Sequence, residues 1–335
     1  MTAARLQEIL GQAAAKRLLV IGDLMLDEFV WGKVGRISPE APVPVVEVTS
    51  ESCYPGGAAN VARNLREFVD QAAVIGMIGT DRGGRQLRQL LAEGRIDTTD
   101  AVEDADFPTI VKTRIIARQQ QVVRVDRERM SQPTPAHIAQ VIDSVRTQLP
   151  HLDAIVFEDY GKGFLRAEMV EQVSQLAHEA GKIVTADPNP RHPIAWKNVT
   201  TVKPNRTEAF LAAGVPHSDP VEPASEDAAL HAVGAALLQL WGTEYVLITL
   251  GEQGMMLFER GGATHHIPTK ARQVFDVSGA GDTAIALFTL ALCCGASARE
   301  AAEIANHASA VVVGKLGTAT VTPAELIASF DDDVA

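Results

Sequence analysis

The sequence predicts an α/β fold: a doubly wound, mostly parallel sheet carrying a small β lid. Three observations support that expectation. Short apolar runs bounded by turn residues recur along the chain, amphipathic stretches with helical spacing separate them, and two proline-containing, β-branched segments interrupt the alternation.

In chain order, "RLLVIGD" (17–23), "AAVIGMIG" (72–79), "DAIVFEDYG" (153–161), "KIVTADPNP" (182–190), "VTTVKPN" (199–205) and "YVLITLGEQG" (245–254) read as buried strands. "RGGRQLRQLLAEG" (82–94) and "AEMVEQVSQLAHEAGK" (167–182) read as helices between them, the second stopped at Gly181. In sheets built this way ligands bind beyond the carboxyl ends of the strands. The segments "GKVGRISPEAPVPVVEVTSESC" (32–53) and "FPTIVKTRIIARQQQVVRVDRE" (107–128) show no helical period, and the first holds three prolines. Prolines belong at sheet edges. Insertions at about 28–52 and 107–128 are therefore expected to form the lid of a single domain spanning 1–335, with a turn near Gln119–Gln121. The tail "DDDVA" is expected to fray.

Composition narrows the function. The 335 residues are 46% hydrophobic and 21% charged, enough for a large core. A net charge of -12 argues against nucleic-acid or membrane-surface binding. The three cysteines read as buried free thiols rather than a metal or redox site, and the nine histidines lack zinc-like spacing. The start "MTAARLQEILGQAAAKRLLVIGD" has no long apolar stretch, so a cytoplasmic protein is expected.

The stretch "FDVSGAGDTAIAL" (275–287) carries the first chemical signal. Gly279, Ala280 and Gly281 precede a helix expected to begin near Asp282. Unpaired N–H groups at a helix start form an anion site, which glycine leaves open to a phosphate. A P-loop would continue with lysine and Ser/Thr, and here an aspartate stands in that place. An acid beside a phosphate is electrostatically costly unless it takes a proton from an attacking hydroxyl. On this stretch alone, a carboxylate that merely satisfies helix-end donors explains Asp282 equally well.

Other motifs shift that balance. "DVSGAGDT" (276–283) resembles the C-terminal signature of the ribokinase-like (PfkB) sugar kinases. "YPGGAANVARNL" (54–65) resembles their glycine pair with its downstream asparagine, and "KPNRTEAF" (203–210) their Asn-x-x-Glu pair. The three occur in the family's order. Within that family, "GDLMLDEFVWGKVGRISPEAPVPVVEV" (22–48), "PTIVKTRIIARQQQVVRVD" (108–126), "EDYGKG" (158–163) and "NHASAVVVGKLGTATVTPAEL" (306–326) are similar to the bacterial heptose 7-phosphate kinases. The proline-rich stretch 185–205, with Asn189, departs from that pattern.

The resemblance implies a ribokinase-like fold and an ATP-dependent, Mg²⁺-assisted phosphorylation of the C1 hydroxyl of D-glycero-β-D-manno-heptose 7-phosphate. A kinase for another sugar is the alternative, and a sensing protein on an inactive scaffold is a different class. Asp282 would be the base, with the anion hole at Gly279, Ala280 and Gly281. Lys203, Asn205, Glu208, Thr249, Gly251, Gly254, Asn306 and Gly317 would line the ATP site, Asn205 and Glu208 organising Mg²⁺ largely through water. Asp276 would bind a monovalent cation such as K⁺. Asp27, Gly56, Gly57 and Asn60 would hold the sugar, and Arg124 and Lys162 its phosphate. The lid would pair two copies into a homodimer.

Blander readings stay open for several of these residues. Asn205 and Glu208 also fit a capping box, "TLGEQG" (249–254) a β-turn, and Asp276 a turn acceptor. Asp27 fits a cap and Asn60 a buried structural amide. Lys112, Arg114 and Arg118, expected on one face of an extended strand, also fit a solvated edge.

Overall fold

The computed structural model describes residues 1–118, 120–271, 274–315 and 317–331. Its first strands are β1 (Arg17–Gly22), β2 (Leu24–Ile37), β3 (Pro44–Gly57), β4 (Gln71–Ile75), β5 (Met77–Gly79), β6 (Ile96–Asp97), β7 (Val102–Asp104), β8 (Ile110–Ala117) and β9 (Gln120–Arg127). The later ones are β10 (Ala154–Glu158), β11 (Ile183–Asp187), β12 (Thr201–Val202), β13 (Tyr245–Thr249), β14 (Met255–Glu259) and β15 (Thr264–Ile267). The helices are α1 (Ala3–Leu10), α2 (Ala58–Arg66), α3 (Arg82–Glu93), α4 (Pro135–Gln148), α5 (Ala167–Glu179), α6 (Arg206–Ala212), α7 (Ala228–Trp241), α8 (Ala280–Cys293), α9 (Ala298–Val313) and α10 (Pro323–Asp331).

The main sheet runs β15-β14-β13-β12-β11-β10-β1-β4-β6, parallel from β13 through to β6 and antiparallel at β14 and β15. Alternation along β1 shows why both faces must be covered. Leu18 and Val20 join the core under α2, α8 and α9, while Leu19 and Ile21 join the core under α4, α5 and α7. Side chains of this kind, removed from water, each stabilise the fold by roughly 1.5–3 kcal/mol. Helix α8 is apolar on every side and buried from Asp282 to Ala291, as a helix lodged between the sheet and two other helices must be.

The lid is a separate four-stranded sheet, β3-β2-β8-β9, with β2 and β8 parallel and its other pairs antiparallel. It starts earlier than the proline pattern suggested, at Leu24, because β2 leaves the main sheet one residue after β1. Three further expectations are corrected. The run 72–79 is two strands, broken at Gly76, and β5 pairs with β7 outside the main sheet. Asp27 sits within β2 and caps no turn. Arg118 lies past the end of β8 with φ 60° and is exposed, so it does not extend the face of Lys112 and Arg114. Gln119, in the expected lid turn, and the tail 332–335 fall outside the described residues.

Candidate active site

The carboxyl ends of the parallel strands deliver charge to one place. Asp23 follows β1, Glu158 ends β10, Asp187 ends β11 and Lys203 follows β12. Helix α8 points its N-terminus at this cluster. It begins at Ala280, two residues before the position read from the sequence, which makes Asp282 a first-turn residue. The N–H of Ala280 donates to Val277 O at 3.3 Å, whereas those of Gly281 and Asp282 meet no acceptor among the described residues. The donors open to an anion are therefore at Gly279, Gly281 and Asp282, while the N–H of Ala280 is engaged within the turn. Gly279, with φ 83°, is required: a Cβ there would lie 2.8 Å from the Asn60 amide nitrogen.

Asp282 does not cap its helix. Its Oδ2 accepts from Asn60 Nδ2 and its Oδ1 from the Tyr160 hydroxyl, both at 2.7 Å. Burial raises its pKa, while those two hydrogen bonds and the charge of Lys203 draw it back down. Asn60 is fully buried, and its amide orients the candidate base, with Arg63 Nη1 donating to the amide oxygen at 3.3 Å. The Tyr160 phenol is held well above its ordinary range by burial and by Asp282, so it remains a donor.

Lys203 forms a 2.7 Å ion pair with Asp187, and the two lie just beyond Gly281. Burial lifts the Asp187 carboxyl against the opposing pull of this lysine. Glu158, pushed well up by burial and by Asp187 and Asp282, has an Oε2 with no hydrogen-bond partner. Asp23 accepts N–H bonds from Tyr160, Lys162 and Phe164 at 2.9–3.2 Å and thereby fixes the loop after β10. Desolvation raises its pKa to about 6.

On the other side of Gly281 opens a cavity of about 460 Å³ lined by Thr249, Gly251, Gly254, Asn306, Ala280 and Val313, among others. Asn306 also donates to Pro268 O at 2.7 Å, which anchors the cavity wall. Asn205 and Glu208 form the reciprocal capping box of α6, and Glu208 lies close enough to Asp187 and Lys203 to act on both charges. Gly317 is placed elsewhere. It is not among the residues lining this cavity; its N–H donates to Asp276 Oδ2, and a Cβ on it would just touch the tip of the Phe29 ring. Asp276 Oδ1 accepts from Ser278 N–H. Amide donors thus reach both oxygens of Asp276, which ties two loops together. Leu316, in the same loop, falls outside the described residues.

The lid covers the remaining side. Asp27 is ion-paired with Arg114 across β2 and β8, and Gly56 of β3, which pairs with Met25, has no room for a side chain because the Asp27 carboxylate occupies it. Gly57, with φ 59°, turns the chain into α2. Lys162 pairs with Glu128 at 2.7 Å, and Arg124 is half exposed and bound to Asp126. The sequence reading missed Asp23, Glu158, Tyr160 and Asp187. Their signal was position: each ends or follows a buried apolar run, where the sheet presents its ligands.

The model of the pfkB family carbohydrate kinases matches residues 15–325. The chain belongs to the pfkB family. This kinase is 44% identical to the bifunctional protein HldE of Caulobacter vibrioides, over 94% of this chain and 63% of that protein. It is 42% identical to the bifunctional protein HldE of Citrifermentans bemidjiense, over 95% and 64%. The chain thus spans under two thirds of the length of these relatives. In fold it is similar to Escherichia coli phosphofructokinase-2 in complex with potassium, with a TM-score of 0.75, 18% identity and 96% and 99% of the chains covered. An Arabidopsis thaliana ribokinase complexed with ribose and ATP gives 0.67, 18%, 94% and 98%. These confirm a ribokinase-like fold for this pfkB kinase.

Proposed function

We propose that this sugar kinase transfers the γ-phosphoryl group of ATP to the C1 hydroxyl of D-glycero-β-D-manno-heptose 7-phosphate, giving the 1,7-bisphosphate for ADP-heptose synthesis. One observation carries the reading. A buried carboxylate, Asp282, stands between a helix N-terminus that opens onto a nucleotide-sized cavity and a lid lined with polar and aromatic groups. The heptose assignment rests on the "RISPEAPVPVV" and "VVVGKLGTATV" strings and on the HldE relatives.

The nucleotide enters the cavity with its terminal phosphates at the N–H groups of Gly281 and Asp282. Lys203, held by Asp187, supplies positive charge beside them. Asp282 accepts the sugar proton while the Asn60 amide and the Tyr160 hydroxyl hold its carboxylate in place. The acidic donors near the phosphates, Asp187 and Glu208, and the unpartnered Oε2 of Glu158 suit a hydrated divalent ion. When bound, Mg²⁺ neutralises charge on the triphosphate. The lid excludes water, which would otherwise compete as acceptor. A homodimer through the lid belongs to the same proposal. Its support is the row of exposed apolar side chains Ile37, Val43, Val48, Val123 and Val125 on the lid.

The test is a phosphoryl-transfer screen over heptose 7-phosphate, fructose 6-phosphate and ribose, with the product position read by phosphorus NMR. The expected result is a new C1 phosphate on the heptose. Turnover confined to fructose 6-phosphate or ribose would move the assignment to another sugar, and no turnover with any of them would remove it.

A further inference from the structure

Where the lid meets the loop after β10, Lys112 stands outside the ion pairs that hold its charged neighbours. Asp27 is paired with Arg114, Glu128 with Lys162 and Asp126 with Arg124. Lys112 is left without a carboxylate at ion-pair distance among the described residues. Its Nζ lies 5.5 Å from the centre of the Tyr160 ring, and it is half-buried. Burial and the neighbouring charge of Lys162 both hold its pKa down. Two ammonium groups brought together on a partly desolvated wall repel each other, and an anion between them removes that cost.

Tyr160 sets where such an anion sits. Its hydroxyl touches the candidate base and its face lies under Lys112, so the Lys112 ammonium is about one aromatic ring away from the reacting hydroxyl. We infer that Lys112, with Lys162, grips a phosphate carried at the end of the sugar remote from that hydroxyl, and that Lys112 makes the kinase select phosphorylated sugars. This rests on the sugar-kinase reading above and assigns its specificity. Arg124, whose side chain is half exposed at the rim of the lid, takes no part.

The experiment compares Lys112→Met and Lys112→Arg with the unaltered protein on heptose 7-phosphate and on the dephosphorylated heptose. Loss of a charge-assisted phosphate contact raises KM for the phosphate ester roughly 10- to 100-fold. The expected pattern leaves kcat and the KM for ATP within about threefold, spares the unphosphorylated sugar, and is partly restored by arginine. A KM change below about threefold, or equal changes for both sugars, overturns the role. If the unaltered protein phosphorylates neither sugar, the catalytic reading fails on its own. Calorimetric titration with the same two sugars then decides Lys112: tighter binding of the phosphate ester that Lys112→Met abolishes supports it, and equal binding refutes it.

Discussion

Tyr160→Phe isolates the hydrogen bond that holds the base. The ring stays, so the surface under Lys112 is kept, and only the 2.7 Å contact from the hydroxyl to Asp282 Oδ1 is lost. That contact lowers a pKa which burial has raised. A hydrogen bond to a charged group contributes about 1.5–3 kcal/mol, and each pKa unit corresponds to ~1.4 kcal/mol. Removing it should push the Asp282 carboxyl further up. The assay is the pH profile of kcat/KM for the sugar, whose acidic limb reports the free enzyme's base. The limb should move to higher pH, so that kcat/KM at a fixed pH on it falls about 10- to 100-fold, with the plateau at high pH falling less than ~10-fold. A limb that stays in place or moves toward acid would refute the assignment of Asp282 as base.

The other expectations are simpler to read. Asp282→Asn should bind ATP normally while turnover falls about 10²–10⁴-fold in a coupled ADP-release assay. Gly279→Ala puts a Cβ against Asn60 at φ 83° and should lower stability in urea by about 1–3 kcal/mol, with a loss of activity as Asn60 is displaced. Lys203→Met strips Asp187 and Glu158 of their buried cation and should cost about 3–5 kcal/mol in chemical denaturation. Asp23 binds its proton more tightly folded than unfolded, with a pKa near 6 against 3.8. Its stabilising contribution is therefore complete below pH 3.8 and lost as the pH rises through 6. Thermal melts of Asp23→Asn beside the unaltered protein, from pH 4 to 7, should show the advantage of aspartate shrinking over that window.

Much of this was legible in the sequence, for reasons particular residues make plain. Buried strands such as "RLLVIGD" carry period-independent apolar runs that nothing in a loop requires, so the sheet could be read directly. The "GAGD" stretch was legible because glycine, helix start and acid coincide within four residues. What escaped was what only tertiary contact creates. Asn60 looks like a ligand for hydroxyls, yet its amide is bound to a carboxylate 222 positions away. Arg114 and Arg124 looked alike, and only strand pairing shows the first half-buried on Asp27 and the second at the rim. Gly76 splits an apparently continuous strand because a Cβ there would collide with Gly22 O and Leu24, contacts a linear pattern cannot contain.

The place of Asp23 has a mechanical outcome. Its carbonyl oxygen accepts the N–H of Ala58, where the returning lid strand re-enters the body, and its carboxylate clamps the backbone of Tyr160 and Lys162. One residue is thus the pivot of the cover and the bracket for the loop beneath it. Lys112 stands on the lid strand β8 and Lys162 on the loop that Asp23 brackets. A phosphate held by both would tie the cover to the body, so the guest's own tail would complete the joint between them.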